Sequence, residues 1–234
     1  MPPGAPMEDT VIWRYMSFAK YVSLLHEKAL FFARADLLRD KFEGSISRMN
    51  LAKPSELEPE VAKVIRALTS KALQDFTSLV MLSCWCMGEI ESVGLWERYA
   101  PGPEGIAVKS TYNRLRNCFS SKLSVAIGKV TYLDYEKDEV PVDTVFAPFF
   151  CKRKNFEDEH ELRAGVHAVS GEPGTTRPVR AGAYVPVNLD TLVDTVYVAP
   201  EAPEWILEVV SSVTKLHGLV KEVKRSGISG TPLY

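Results

Sequence analysis

The sequence predicts an α+β fold: one domain with a mixed or antiparallel sheet and flanking helices. Three observations carry this. Apolar residues alternate with period two in some segments and recur at helical spacing in others. The two kinds of segment do not follow one another in the regular rhythm of a doubly wound sheet. No Gly/Ser linker, internal repeat or low-complexity tract divides the 234 residues. Residues 1–10 are expected to form a disordered N-terminal tail and 11–234 the single α+β domain.

Taken in order, Val11-Ile12-Trp13-Arg14-Tyr15-Met16 has the β-branched and aromatic content of a strand, with Val11, Trp13 and Tyr15 on one face and Ile12, Arg14 and Met16 on the other. Ser17 is placed to cap a helix over 18–28, where Phe18, Tyr21, Val22 and Leu25 form one stripe. A short strand over 30–33 and a helical turn ending near Gly44 follow. Helical periodicity returns over 55–75, with Leu57, Val61, Val64, Ile65 and Leu68 on a common side. Residues 79–85 read as a buried strand. A helix over 90–99 is ended by Pro101-Gly102-Pro103. A strand over 105–108, a short helix over 111–118 and a long strand over 125–135 come next, and 144–152 reads as helical. Residues 161–169 alternate as a strand, and 170–180 form a loop or hairpin tip. Two further strands, near 183–187 and 195–198, precede an amphipathic helix over 201–217 that carries Trp205, Ile206, Val209, Val210 and Val213. Gly218 stops it, and 221–224 close the fold as a last strand.

Composition narrows the function classes. A formal net charge of −2 is the opposite of the basic excess expected of a general nucleic-acid binder, so nucleic acid enters only as a substrate. No apolar run reaches the roughly 18 to 20 residues that span a bilayer, and the N-terminus lacks the basic start and apolar core of a signal peptide. A cytoplasmic protein without a membrane partner is expected. The spacing of Cys84, Cys86, Cys118 and Cys151 is not that of a zinc ribbon, and His26, His160, His167 and His217 are scattered. Reduced thiols and no metal site follow.

The chemistry concentrates in Glu159-His160-Glu161-Leu162-Arg163. A strand beginning near Glu159 would set Glu159, Glu161 and Arg163 on one face, with like charges about 7 Å apart raising one another's pKa and Arg163 ionising its neighbour. One carboxylate held by a guanidinium and another free to accept a proton is an arrangement active sites use. A solvated strand edge with an ordinary salt bridge explains the same residues. Arg14 stands in an otherwise apolar strand beside Tyr15, where a cation needs a partner; it suits a bidentate phosphate or carboxylate, or a structural glutamate. Ser83, followed by Trp85 at the end of its strand, suits a ligand hydrogen bond or a satisfied core hydroxyl, and no Gly-x-Ser-x-Gly elbow surrounds it.

The pattern resembles a large bacterial and phage family of unknown function. It rests on Trp13-Arg14-Tyr15, Asp40-Lys41-Phe42-Glu43-Gly44, Ser83-Cys84-Trp85, Leu95-Trp96-Glu97-Arg98-Tyr99 and the Glu159-x-Glu161-x-Arg163 segment. Two mild departures are Arg39-Asp40-Lys41 for Asn-Asp-Pro and Leu95 for Met. The order of Arg14, Ser83 and Glu161 along three strands is remotely similar to arginine-type ADP-ribosyltransferases. That likeness implies a corresponding fold, NAD as substrate and a toxin or phage-defence role. It places Arg14 at the pyrophosphate, Ser83 as a brace of the site, Glu161 at the ribose and its cation, and Glu159 at the acceptor; beside these, Tyr15 and Trp85 are expected at the dinucleotide and Arg163 in the catalytic set. The competing expectations are a non-enzymatic binding or regulatory module, and a metal-dependent enzyme acting on nucleic acid with Lys152, Arg153 and Lys154 on phosphate.

Overall fold

The structure is a computed structural model that describes residues 4–52, 59, 60, 63, 76–144, 146–167 and 177–229. In chain order its elements begin with β1 (Val11–Ser17), α1 (Phe18–Glu27), β2 (Ala29–Arg34), α2 (Arg48–Ala52) and β3 (Val80–Met87). There follow α3 (Val93–Tyr99), β4 (Gly105–Thr111), α4 (Tyr112–Asn117), β5 (Ala126–Lys129), β6 (Thr131–Leu133), β7 (Cys151–Arg153) and β8 (Glu161–His167). The last are β9 (Arg177–Val179), β10 (Gly182–Pro186), α5 (Leu189–Leu192), β11 (Thr195–Val198), α6 (Glu204–Leu216) and β12 (Glu222–Arg225). Strand pairing is mainly antiparallel and helices flank it, as an α+β fold requires. No helix among the described residues is long and apolar enough to cross a membrane. The helix expected over 55–75 lies almost wholly outside the described residues.

The chain gathers into two compact units. The first comprises Met1–Pro6, Phe32–Cys84 and Lys122–Ala183; the second comprises Met7–Phe31, Trp85–Ser121 and Tyr184–Tyr234.

The second unit is built on β1. Antiparallel β4 lies on one side of it, with Trp13 opposite Lys109 and Tyr15 opposite Ala107. The end of β3 lies on the other, with Ile12 opposite Met87 and Trp13 opposite Cys86. β11 continues the sheet antiparallel to β4, and β12 runs parallel to β11. The caps expected from sequence are present: Ser17 Oγ accepts the Lys20 amide at 3.5 Å, and Gly218, past α6, takes φ +79°. α1 buries Tyr21, Leu24 and Leu25, and α6 buries Ile206, Val210 and Thr214. The Tyr21 and Thr214 hydroxyls meet at 2.8 Å. On α3, Trp96 is buried and Tyr99 is 41% exposed. The chain before β1 contributes too: the Asn113 amide donates to the Glu8 carbonyl at 3.0 Å.

In the first unit the sequence pattern and the structure part company twice. The long strand expected over 125–135 is two strands with different partners: β5 is antiparallel to β8, and β6 is parallel to β7. A change of partner at Val130 breaks a pattern that is continuous in the sequence. The expected helix over 144–152 is a 3-10 turn, Ala147–Phe150, followed at once by β7. Pro148 tolerates this first turn but cannot supply the amide that a longer helix would need. β8 also pairs with β3, and residue Ala33 of β2 lies antiparallel to Leu82. Ala35, Val80, Leu82 and Phe149 form a core cluster here.

Candidate functional site

β8 carries the charged segment into the interior of the first unit. Its residues from Glu161 to Val166 are all buried, and Arg163 has no exposure at all. An unpaired guanidinium there would be prohibitive, so its partners define the site. Arg163 Nε donates to Glu161 Oε1 at 2.8 Å and Nη2 to Glu161 Oε2 at 3.1 Å. The other edge of the fork grips Glu43, with Nη1 to Oε2 at 2.6 Å and Nη2 to Oε1 at 2.8 Å. Nη1 also donates to the Phe149 carbonyl at 2.7 Å. These contacts use all five N–H groups of the side chain.

Lys152, at the middle of β7, adds a second cation. Its Nζ lies 2.6 Å from Glu159 Oε2 and 3.0 Å from Glu161 Oε2. A third carboxylate, Glu43, stands 4.0 Å away. The three carboxylates and two cations are therefore one buried network. Glu161 is steadied further: its amide donates to the Tyr132 hydroxyl at 2.8 Å and its carbonyl accepts from Val130 at 2.9 Å. The Cys84 thiol, on β3, lies near its carboxylate, and burial there raises the thiol's pKa.

A neighbouring pair holds the turn that delivers Glu43. Arg153, next along β7, grips Asp40 with Nη2 at 2.8 Å from Oδ1 and Nε at 3.2 Å from Oδ2. Asp40 Oδ1 also accepts the Phe42 amide at 3.1 Å. The Arg153 guanidinium lies 4.5 Å from the centre of the Phe42 ring. Gly44 follows at φ +71°, and a Cβ placed there would overlap the Phe149 ring. Lys152 and Arg153, expected on phosphate under the nucleic-acid reading, are thus engaged by carboxylates.

Electrostatics follow from this geometry. Burial alone would raise the Glu161 carboxyl, but Arg163 and Lys152 at hydrogen-bond distance outweigh it and bring the pKa down to about 2. For Glu161 those two cations outweigh any raising by neighbouring carboxylates. Glu43 is pushed up by burial, which the guanidinium only partly offsets. Lys152 sits above its ordinary range: burial works against the charge, and Glu161 and Glu159 more than restore it.

Glu159 reaches the network by a different route from the one its spacing suggests. β8 starts at Glu161, and Glu159 ends the 3-10 turn Lys154–Glu159. His160 between them is left-handed, at φ 42°. Glu159 and Glu161 still converge, because Lys152 bridges them.

Arg14, Tyr15 and Trp85 belong to the second unit, whereas Ser83, Glu159, Glu161 and Arg163 belong to the first. Ser83 is 1% exposed. The Arg14 guanidinium stands 5.7 Å from the centre of the Trp85 ring and donates from Nη2 to the Phe31 carbonyl at 2.8 Å. The β1–β3 register, carried one step on, sets the two residues opposite each other. Trp85 is 1% exposed, and its indole N–H finds no acceptor among the described residues. Tyr15 is committed elsewhere, its hydroxyl accepting the amide of Ser92, the N-cap of α3, at 3.0 Å. Burial raises that phenol.

Sequence reasoning missed Glu43, Tyr132 and Cys84 as members of the network. The only signal for Glu43 was its place in the Asp40–Gly44 turn. No group of three His, Cys, Asp or Glu side chains arranged to hold a metal ion occurs among the described residues. The four cysteines are free thiols.

An α+β sheet protein with a buried carboxylate–guanidinium network is the class that fold and site define. No protein-family model matches the chain, and no curated protein matches it. Among solved structures, the chain is similar to Thermus sp. 2.9 DarT in complex with NAD+, at 9% identity and a TM-score of 0.45, over 97% of this chain and 100% of that one. The same protein in complex with ADP-ribosylated ssDNA matches at 10% identity and a TM-score of 0.45, over 99% and 100%. Its complex with carba-NAD+ matches at 11% identity and a TM-score of 0.43, over 95% and 97%.

Proposed function

We propose that this chain consumes NAD, as a transferase or glycohydrolase, with Glu161 serving the ribose. The observation that carries the reading is the Glu161 carboxylate, held between the Arg163 guanidinium and the Lys152 ammonium. In the second unit the half-buried Arg14 side chain lies over the Trp85 ring, 5.7 Å from its centre. Glu161 adds a carboxylate kept ionised down to about pH 2, which suits it to face a developing ribosyl cation as nicotinamide leaves. Ser83 belongs to the same reading through its place on β3, between the strands that carry Arg14 and Glu161 in sequence order.

A second reading is favoured by the saturation of the network. Arg163 has no unused donor, and Glu161 is 2% exposed and bonded to Arg163 and Lys152. As a cross-link between β8, β7 and the Asp40–Gly44 turn, it would belong to a non-enzymatic module.

One experiment separates the two. The protein and Glu161→Gln are incubated with NAD, released nicotinamide is measured, and thermal unfolding is recorded for both. The NAD reading expects release by the wild type and a loss of about a hundredfold or more in the variant, the scale for one preorganised electrostatic contact. Absence of release by the wild type, with a large fall in melting temperature for the variant, removes it in favour of the cross-link.

A further inference from the structure

The network divides into a fixed part and a part able to leave. Glu161 and Arg163 lie within β8, paired to β5 and β3, and the guanidinium is bound on both edges. The backbone of Glu161 is tied at its amide to Tyr132 and at its carbonyl to Val130. Glu159 has no such strand. It ends the 3-10 turn Lys154–Glu159, of which it is the buried member, while Lys154, Asn155, Glu157 and Asp158 are exposed and Phe156 is half-buried. Short 3-10 turns have poor hydrogen-bond geometry. The turn ends at His160, a non-glycine residue in the left-handed region.

We propose that Glu159 is a latch: its ion pair with Lys152 holds residues 154–160 closed beside Glu161, and release of that pair is the step that opens Glu161 to a ligand. Lys152 makes such a release affordable. Its ammonium contacts Glu159 at 2.6 Å and Glu161 at 3.0 Å, so it keeps a carboxylate partner when the turn swings away. Glu159 then returns to water with its turn and regains hydration. No charge is left stranded inside, which is the condition that makes breaking a buried ion pair costly elsewhere. The cation–ring contact of Lys152 with Phe156, at 4.9 Å, is released in the same movement. On this account Glu159 acts through Lys152 as a gating residue, instead of activating an acceptor. Only the identity of the ligand rests on the NAD reading.

Hydrogen exchange followed by mass spectrometry, without NAD, tests the latch. Peptides covering 154–162 are compared in the wild type, Glu159→Gln and Glu159→Asp, with Glu157→Gln on the exposed side of the turn as control. Loss of a charged hydrogen bond predicts exchange about tenfold or more faster in Glu159→Gln, confined to that segment. Glu159→Asp, one methylene too short to keep its contact, moves in the same direction and serves if the glutamine variant does not fold. Glu157→Gln leaves exchange unchanged. Unchanged exchange in the Glu159 variants overturns the proposal, and so does an equal rise across the whole first unit. A wild type that releases no nicotinamide would remove the NAD reading and leave this result standing.

Discussion

Replacing Arg163 by Met tests the network most directly. Methionine keeps most of the volume and removes the charge at a position with no exposure. Glu43 and Glu161 then lose two donors each from the guanidinium and are left as buried carboxylates, with Lys152 3.0 Å from one and 4.0 Å from the other. Removing one partner of a buried ion pair costs about 3 to 5 kcal/mol, and two stranded acids argue for the upper end. For a chain of this size that is a fall in melting temperature of about 10 to 20 °C. The pH dependence fixes the cause. The wild-type Glu161 carboxyl is lowered from 4.5 to about 2, so its contribution is complete above 4.5 and is lost as pH falls toward 2. The interval corresponds to roughly 3 kcal/mol. In the variant the stranded carboxyls have raised pKa values, so acidification relieves them. The gap between the two proteins therefore narrows from pH 7 to pH 3 in melts followed by circular dichroism. A variant melting within about 2 °C of the wild type at pH 7, or a gap that widens in acid, refutes the account.

Two further substitutions probe the packing around the site and the helices, beside the Glu161 and Glu159 variants described above. Gly44→Ala forces a side chain into the left-handed region and into the Phe149 ring; a loss of about 2 to 4 kcal/mol in urea unfolding is expected, and an unchanged midpoint would contradict it. Thr214 donates its hydroxyl to the Val210 carbonyl at 2.6 Å, so Tyr21 must be the donor in the bond between them. Tyr21→Phe leaves an unanswered acceptor and should cost about 1 kcal/mol by the same measurement.

Local chemistry was legible in the sequence, and partnership was not. The Ser17 cap and the Gly218 stop are set by residues within one turn of the helix ends they govern, so both could be read directly. The alternation of 161–169 likewise foretold β8. By contrast, the alternation from Ala126 to Leu133 says nothing of a change from β8 to β7 as partner. The Glu159-x-Glu161-x-Arg163 spacing brought the right side chains to notice for an incomplete reason, because Lys152, and not a shared strand face, joins Glu159 to the others. Glu43 meets Arg163 across a separation of 120 residues. Periodicity carries no trace of such a contact, and a lone glutamate in a turn looks like any solvated acid.

Full occupancy of the guanidinium at position 163 limits how this sequence is free to drift. Lysine has fewer donors and no planar fork, so even that conservative exchange would abandon some of the oxygens now served. Neither Glu43 nor Arg163 is replaceable alone without passing through an ancestor that buries an unmatched charge. Inheritance should therefore keep the two as a unit or lose them as a unit, whatever task the protein performs.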